Sequence, residues 1–353
     1  MFRTKSLSVL LVVKASLCFA LAFASCATAP PPGGVPMAVR PDWTNDGMHE
    51  GFNRQVYLTA VGHGNSRQAA EMDAFRQLVT IFGVDVQADT RLAEAYRSGA
   101  GGVGTHSIDF GSEIILGAGM DNLIGVEIGD RWDNGRGTFS ALAVLNRARA
   151  TQIYSDMIRA NQELIANLTT LTPMERNSFS GFSRYQFAAV VADMNASYAA
   201  VLAAVGSPMQ GLRTGDDFRR EAQAIATAIP IGINVTGDRA GRIQGSFAGA
   251  MTGLGFRTGG VNQRYILQVN VIVTEPQFAG GQRNIVWAQM ELSASLVDTA
   301  TGAALLPFYF SGREGHTNFE RAENVVFNAA QRQIEAEFGN LLEDFLFQLI
   351  PGR

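Results

Sequence analysis

The positions of the cysteines limit how this chain can fold. The 353 residues include two cysteines, Cys18 and Cys26, and both lie near the N-terminus. The rest of the sequence cannot form a disulfide of its own, so its fold depends on a hydrophobic core. Hydrophobic residues make up 46% of the chain and charged residues 17%, which is typical of a globular protein with such a core. At roughly 100–200 residues per domain, the length predicts two domains.

The charge balance argues against nucleic acid as a partner. The formal net charge is −4 at pH 7. A protein that binds nucleic acid by neutralising its phosphates carries a basic excess. We therefore expect no nucleic-acid partner.

The first 25 residues have the order of an export signal. Arg3 and Lys5 supply positive charge, an apolar stretch follows Lys14, and small residues precede Cys26. The apolar stretch is shorter than the roughly 20 residues that a transmembrane helix needs. We therefore predict a signal peptide over residues 1–25 and not a permanent membrane span.

The residues before Cys26 resemble a bacterial lipobox, in which a lipid is attached to the cysteine thiol and the chain is cleaved before it. Phe23 departs from the pattern, because Leu, Val or Ile is usual at that position. The alternative is ordinary cleavage near Ala27, with Cys26 unmodified. We prefer lipidation, because an exported chain whose only thiol is its first residue uses that thiol for attachment. The Pro- and Gly-rich residues 26–40 then form an extended tether.

Lipidation would place the protein in the cell envelope, with acyl chains such as palmitate in a membrane. Ala27 follows the cysteine, where some lipoproteins carry the Asp that retains them at the inner membrane. The outer membrane is therefore favoured over the inner one.

The sequence pattern over residues 41–150 predicts a first α+β domain. A helix begins after the cap Ser66 and ends at Gly83. The segment 62–65, Gly-His-Gly-Asn, is interpreted as a turn, and Asp-Asn-Gly at 133–135 predicts a hairpin. The predicted strands cover residues 57–61, 84–90, 123–132 and 138–146.

Short motifs in this region occur in a recognisable order. They are Pro-Asp-Trp at 41–43, Gly-His-Gly at 62–64, an Ala-rich helix, and Ser-Ala-Leu-Ala-Val-Leu-Asn-Arg at 140–147. These motifs follow the lipobox-like segment. In this order they resemble the LPP-twenty family of bacterial surface lipoproteins over about residues 41–155. The resemblance implies a small domain of strands packed on a helix, with no established enzyme activity and no catalytic residues.

Residues 151–211 predict a helical hairpin that links two domains. Thr172 begins the second helix with a capping box, in which Pro173 takes the first helical position and Glu175 lies three residues after the cap. Gly206 ends that helix.

Residues 212–353 predict a second α+β domain of similar element order. A capping-box pattern at 317–320 opens a long terminal helix. The segment 296–302 is similar to a hairpin of periplasmic domains of the curli-secretion, TolB N-terminal and penicillin-binding-protein-activator type. The predicted fold class is therefore α+β, with two sheet-and-helix domains linked by the hairpin. The predicted strands cover residues 229–235, 264–274, 285–297 and 305–311.

The sequence contains no recognisable catalytic or metal-binding pattern. Glu314, His316 and Glu320 are the best candidate ligands, but a solvated loop is the preferred interpretation, because zinc needs several ligands at matched spacing. Gly-His-Gly lacks the Lys-Ser/Thr of a phosphate loop, and no Gly-x-Ser-x-Gly occurs. We therefore expect no cofactor, no metal and no catalysis. All histidines are predicted in loops or turns: His49, His63, His106 and His316.

Glycines at four-residue spacing mark one face of a predicted helix over residues 240–254. Each glycine costs roughly 1 kcal/mol of helix stability relative to alanine, so the pattern calls for a reason. One interpretation is an interaction surface for a partner or a second copy. The other is a neighbouring helix from residues 147–205 of the same chain. The glycines are Gly241, Gly245, Gly249 and Gly253.

These features predict a membrane-anchored envelope lipoprotein with a non-catalytic binding or scaffolding role. Its partners would be the membrane, through the lipid at Cys26, and an unidentified envelope protein or a second copy. One alternative is a flagellar or secretion-accessory protein, because the order of the two resemblances is similar to that of the periplasmic flagellar protein T. Another is a periplasmic cell-wall hydrolase, which would need a deep pocket with a perturbed carboxylate or a metal.

Overall fold

A computed structural model describes residues 39–82, 124–238, 240–276 and 285–351. Residues Arg40–Arg353 form one compact unit. Within the described ranges, helices and two β-sheets give the α+β class that the sequence predicts. The division into 41–150, 151–211 and 212–353 stays a prediction. Several predicted features lie outside the described residues: the signal peptide, Cys26, the tether, the strand at 84–90 and His106.

The first sheet is three-stranded and antiparallel, in the order β1-β3-β2. Small side chains on one face of β3, Ala141 and Ala143, pack against alanines of helix α2. Trp43 and Phe52 pack on the other face. The central strand is therefore buried on both sides. The elements are α1 (Trp43–Asp46), β1 (Tyr57–Gly64), α2 (Arg67–Ile81), β2 (Val126–Asp133) and β3 (Phe139–Asn146).

The Gly-His-Gly segment is part of strand β1, so its interpretation as a turn is wrong. Its first glycine allows helix α2 to cross the strand at very short range. A Cβ added to Gly62 would lie 1.9 Å from the nitrogen of Ala74 and 2.3 Å from the carbonyl oxygen of Ala70. Glycine is needed here because backbone approaches the strand, and not because the chain turns.

Two long helices follow the first sheet: α3 (Arg147–Thr169) and α5 (Phe179–Ala204), with the short α4 (Pro173–Arg176) between them. The capping box predicted at Thr172 is confirmed, but it begins the short α4, and the long second helix begins after its own cap, Ser178. The Glu175 nitrogen donates to the hydroxyl of Thr172 at 3.3 Å, and the Thr172 nitrogen donates to the Glu175 carboxylate at 2.9 Å.

Helix α5 is long and apolar enough to cross a membrane, by length and composition alone. Half of its most apolar stretch is buried inside the protein. Its first half, including Phe179 and Phe187, joins the core under the second sheet. Its second half, including Tyr198 and Leu202, joins the core of the first sheet. In this fold α5 is therefore a core helix shared by both sheets.

The second sheet is five-stranded, in the order β5-β4-β6-β7-β8. Strand β4 pairs in parallel with β5 and β6, while β6, β7 and β8 are antiparallel. One face, with Leu267 and Leu292, is buried against helices, whereas Gln268 and Ser293 on the other face are exposed. The elements are α6 (Gly215–Ala228), β4 (Pro230–Thr236), α7 (Arg242–Gly253), β5 (Arg257–Thr258), β6 (Tyr265–Thr274), β7 (Val286–Asp298) and β8 (Ala303–His316).

The predicted terminal helix is present but interrupted. Helix α8 (Phe319–Gln333) is capped by Asn318, whose side chain accepts a hydrogen bond from the Arg321 nitrogen at 2.9 Å, and not by Thr317. A π-helical turn (Ile334–Phe338) follows and leads into α9 (Gly339–Gln348). The wider turn changes which face of the helix meets the core, and α9 packs against α5.

Candidate functional site

The glycine stripe faces open space. Gly245, Gly249 and Gly253 lie in α7, and apart from their chain neighbours and the helix's own backbone, no heavy atom of the described residues lies within 4 Å of the Cβ position at any of them. Gly241 precedes the helix with a φ of 68°. The expectation that a helix from residues 147–205 covers this face is therefore wrong. The stripe as a surface for a partner stays a prediction.

Strands β1 and β3 bring a histidine and a serine together. His63 and Ser140 are direct cross-strand partners, and Nδ1 of His63 lies 3.0 Å from the Ser140 hydroxyl. Asp73 accepts a hydrogen bond from the backbone nitrogen of His63 at 2.9 Å, so it does not orient the imidazole. Ser140 is only 2% exposed. A serine hydrolase needs an accessible nucleophile and a base oriented by a third group, and among the described residues this pair has neither.

The other described histidines have structural partners. His49 accepts a hydrogen bond at Nδ1 from the Gly51 nitrogen (3.0 Å), so its Nε2 donates to Asp130 (3.2 Å). His316 ends β8, and its Nδ1 accepts from the Thr317 nitrogen at 2.8 Å. Both His63 and His316 lie in strands, contrary to the prediction of loops or turns.

The candidate metal ligands do not form a site. Among the residues that the structure describes, no group of three or more His, Cys, Asp or Glu side chains could hold a metal ion. Glu314, His316 and Glu320 are therefore not brought together as a metal-binding cluster.

A cleft of about 510 Å³ lies between helices α5, α6 and α9, with Leu254 from the end of α7. This volume is within the range of roughly 300–1,000 Å³ found for small-molecule sites. Most of the wall is apolar, and it includes side chains far apart in the sequence. The apolar walls are formed by Phe182, Phe187, Val190, Leu346, Phe347 and Ile350.

Few polar groups line the cleft. Ser183 donates its hydroxyl proton to the Phe179 carbonyl oxygen at 2.9 Å, so it is already satisfied. Arg219 pairs with Asp193 and also with Asp216, the latter at 2.9 Å. These contacts leave the guanidinium neutralised by two carboxylates.

Two further polar side chains of the cleft are without such contacts. Within the described ranges, Gln186 and Glu343 form no hydrogen bond or ion pair, and Glu343 is exposed. They are therefore free to bind a ligand in the cleft.

Sequence reasoning missed this cleft. Its residues belong to separate helices, and no motif joins them. The available signal is that α5 is apolar nearly all round, which is more than a hairpin helix with one buried face requires. The gap next to them depends on how α6 and α9 pack.

A family model described as LPP20 lipoprotein matches residues 41–146. The match covers the first sheet with α1 and α2, so the resemblance inferred from the N-terminal motifs is confirmed. The resemblance of the C-terminal region to curli-secretion and TolB-type domains is not confirmed and stays a prediction. No curated protein matches this sequence.

Several solved structures match parts of the chain. A minor lipoprotein from Acinetobacter baumannii is 12% identical over 31% of this chain and 92% of that chain, with a TM-score of 0.26. Lipoprotein GNA1162 from Neisseria meningitidis is 15% identical over 31% of this chain and 99% of that chain, with a TM-score of 0.21. The secreted protein HP1454 from Helicobacter pylori is 12% identical over 84% of this chain and 99% of that chain, with a TM-score of 0.41.

These structural scores are too low to carry a functional argument. The family match and its agreement with the described elements are what identify the N-terminal region. Residues 41–146 of this chain match the LPP20 lipoprotein family.

Proposed function

We propose that this protein is anchored in the bacterial cell envelope by a lipid at Cys26 and acts there by non-catalytic binding. The observation that carries the proposal is the LPP20 lipoprotein match at 41–146, which begins shortly after the predicted export signal at 1–25 and Cys26. The Pro- and Gly-rich tether at 26–40 separates that cysteine from the matched domain. Ala27 favours the outer membrane.

Three features of the described residues support binding over catalysis. Ser140 is buried, and Asp73 bonds to the main chain of His63 and not to its ring. The cleft has apolar walls and few polar groups, which suits binding of an apolar ligand. An envelope protein or a second copy stays the proposed macromolecular partner, with the open glycine face of α7 as its proposed contact.

The test is the intact mass of the protein purified from its native membrane, beside a Cys26→Ala variant. We expect a chain that starts at Cys26 and carries added acyl mass, and we expect the variant to be missing that mass. Cys18→Ala is a matched control, because Cys18 lies in the segment that is removed. It should leave the mass and the membrane fraction unchanged.

An unmodified chain that starts near Thr28 and fractionates as soluble would contradict the anchor. That outcome would leave a free exported protein and would reopen the alternative of a hydrolase. Incubation of the purified protein with cell-wall material, with His63→Ala as the comparison, would then test for hydrolysis.

A further inference from the structure

We infer that the cleft between α5, α6 and α9 binds a cationic amphiphile, with its apolar chain in the cleft and its charged head beside Glu343. The inference rests on the proposed binding role and is independent of the lipid anchor.

The walls of the cleft favour a hydrocarbon chain. Phe182, Phe187, Leu346 and Ile350 are between 4% and 8% exposed, and they give the cleft walls that are mainly carbon. A peptide strand or a sugar would bury its own hydrogen-bonding groups against carbon, and burial of unpaired polar groups is costly. A hydrocarbon chain has no such groups, and it gains from leaving water.

The charges at the cleft favour a positive head group. The positive charge of Arg219 is opposed by Asp193 and Asp216, and Glu343 adds a carboxylate that has no partner within the described ranges. Of the two charged side chains that line the cleft, Arg219 is therefore neutralised and Glu343 is uncompensated. An uncompensated negative charge attracts ligands of the opposite sign.

The amide of Gln186 suits the same head group. Its oxygen accepts hydrogen bonds, and a protonated amine is a donor. Gln186 and Glu343 come from α5 and α9, so they belong to different walls of the cleft. An amine in the cleft would thus have a possible partner on each of two walls.

The π-helical turn Ile334–Phe338 helps to build this arrangement. Phe338 is fully buried and packs edge-on against Phe247 and Phe308, which fixes the end of the turn. The turn is followed at once by α9, which carries Glu343 and Leu346. π-Helical turns within longer helices occur frequently at functional sites.

The experiment is calorimetric titration of the chain produced from Ala27 onward, which contains the whole compact unit Arg40–Arg353 and needs no detergent. The probes are decylamine, decanoate and decanol, the first two below the concentration at which they form micelles and decanol below its solubility limit. They share one chain and differ in charge. We expect decylamine to bind about fivefold more tightly than decanoate, as an exposed charge contact allows.

Three variants locate the binding. Glu343→Gln should weaken decylamine binding about three- to fivefold and leave decanol binding unchanged. Asp344→Asn is the matched control, because it removes the neighbouring exposed charge on α9 from a residue outside the cleft lining. Val190→Phe should fill the cleft and weaken binding of all three probes. Circular dichroism of each variant checks its fold, and Glu343→Gln changes an exposed side chain only.

The inference is overturned if decanoate binds as tightly as decylamine, if Glu343→Gln and Asp344→Asn have equal effects, or if a folded Val190→Phe protein binds all probes as before. Failure of the lipid anchor at Cys26 would have a different signature. The mass measurement would then change, while decylamine binding by the compact unit would not.

Discussion

At the scale of single residues, the effect of a glycine depends on what lies opposite it. Gly62→Ala should lower the free energy of unfolding by about 1–3 kcal/mol, because the new methyl group would overlap backbone atoms of Ala70 and Ala74. Urea denaturation measures this change. A neutral result would contradict the close crossing of β1 by α2.

Gly249→Ala should have the opposite effect. Gly249 is exposed on α7, with open space at its Cβ position, and alanine is favoured over glycine in a helix by up to about 1 kcal/mol. We expect a gain of stability of that order in the same urea assay. A gain of stability together with weaker capture of a partner or second copy would support the glycine face as a contact, whereas a loss of stability would show that the face is covered.

Tyr154 provides a pH-dependent test of the first core. Its side chain is 1% exposed, and burial raises the pKa of its phenol from 10.0 to about 12. Between these values the unfolded chain loses the proton and the folded chain keeps it, so stability falls as pH rises from 10 to 12. Urea midpoints over this range should fall less steeply for Tyr154→Phe. If the urea midpoint of Tyr154→Phe falls as steeply as that of the wild type, other groups cause the loss of stability.

At the scale of an element, α6 depends on its capping box. The Thr214 hydroxyl accepts from the Asp217 nitrogen at 3.3 Å, and the Thr214 nitrogen donates to the Asp217 carboxylate at 2.8 Å. The backbone hydrogen bond from Thr214, with its hydroxyl, lowers the pKa of Asp217. This carboxylate therefore stabilises the fold above its unfolded pKa, and the effect is lost as pH falls through the lowered pKa.

Thr214→Ala should destabilise the protein by about 1 kcal/mol near neutral pH, because an N-cap side chain is lost. The variant also loses the hydrogen bond from the Thr214 hydroxyl to Asp217. The difference in the free energy of unfolding between variant and wild type should therefore shrink as the pH falls through the lowered pKa of Asp217. Urea midpoints across the acid range measure both effects. An unchanged difference at all pH values would mean that Asp217 does not act through the cap.

At the scale of the whole molecule, α5 decides whether the two sheets are separable. Phe179 stacks on Tyr265 of the second sheet with ring centres 3.9 Å apart, and Tyr154 and Tyr198 pack 5.7 Å apart in the other core. A fragment of residues 212–353 has no α5, so the face of its core that α5 covers would be exposed to water. We expect it to unfold without a cooperative transition, whereas Arg40–Arg353 unfolds cooperatively. Cooperative unfolding of the fragment would support the predicted independent domain.

Much of the local structure could be predicted from the sequence. The hairpin at Asp133 forms as expected, with Gly135 at a φ of 67°, and the capping box at Thr172 is present. These features depend on residues a few positions apart, so their side-chain chemistry is enough to predict them. The N-terminal family resemblance and the α+β class were also available from the sequence.

Only the tertiary structure decided which atoms lie opposite these elements. Position 62 in strand β1 is a glycine because α2 crosses the strand there and leaves no room for a side chain, and not because the chain turns. The stripe around Gly249 lies open because no other described element packs on it. The cleft at Gln186 and Glu343 forms where helices distant in sequence leave a gap. Local patterns report which residues share a face, whereas long-range packing determines what that face meets, and the candidate site depends on the latter.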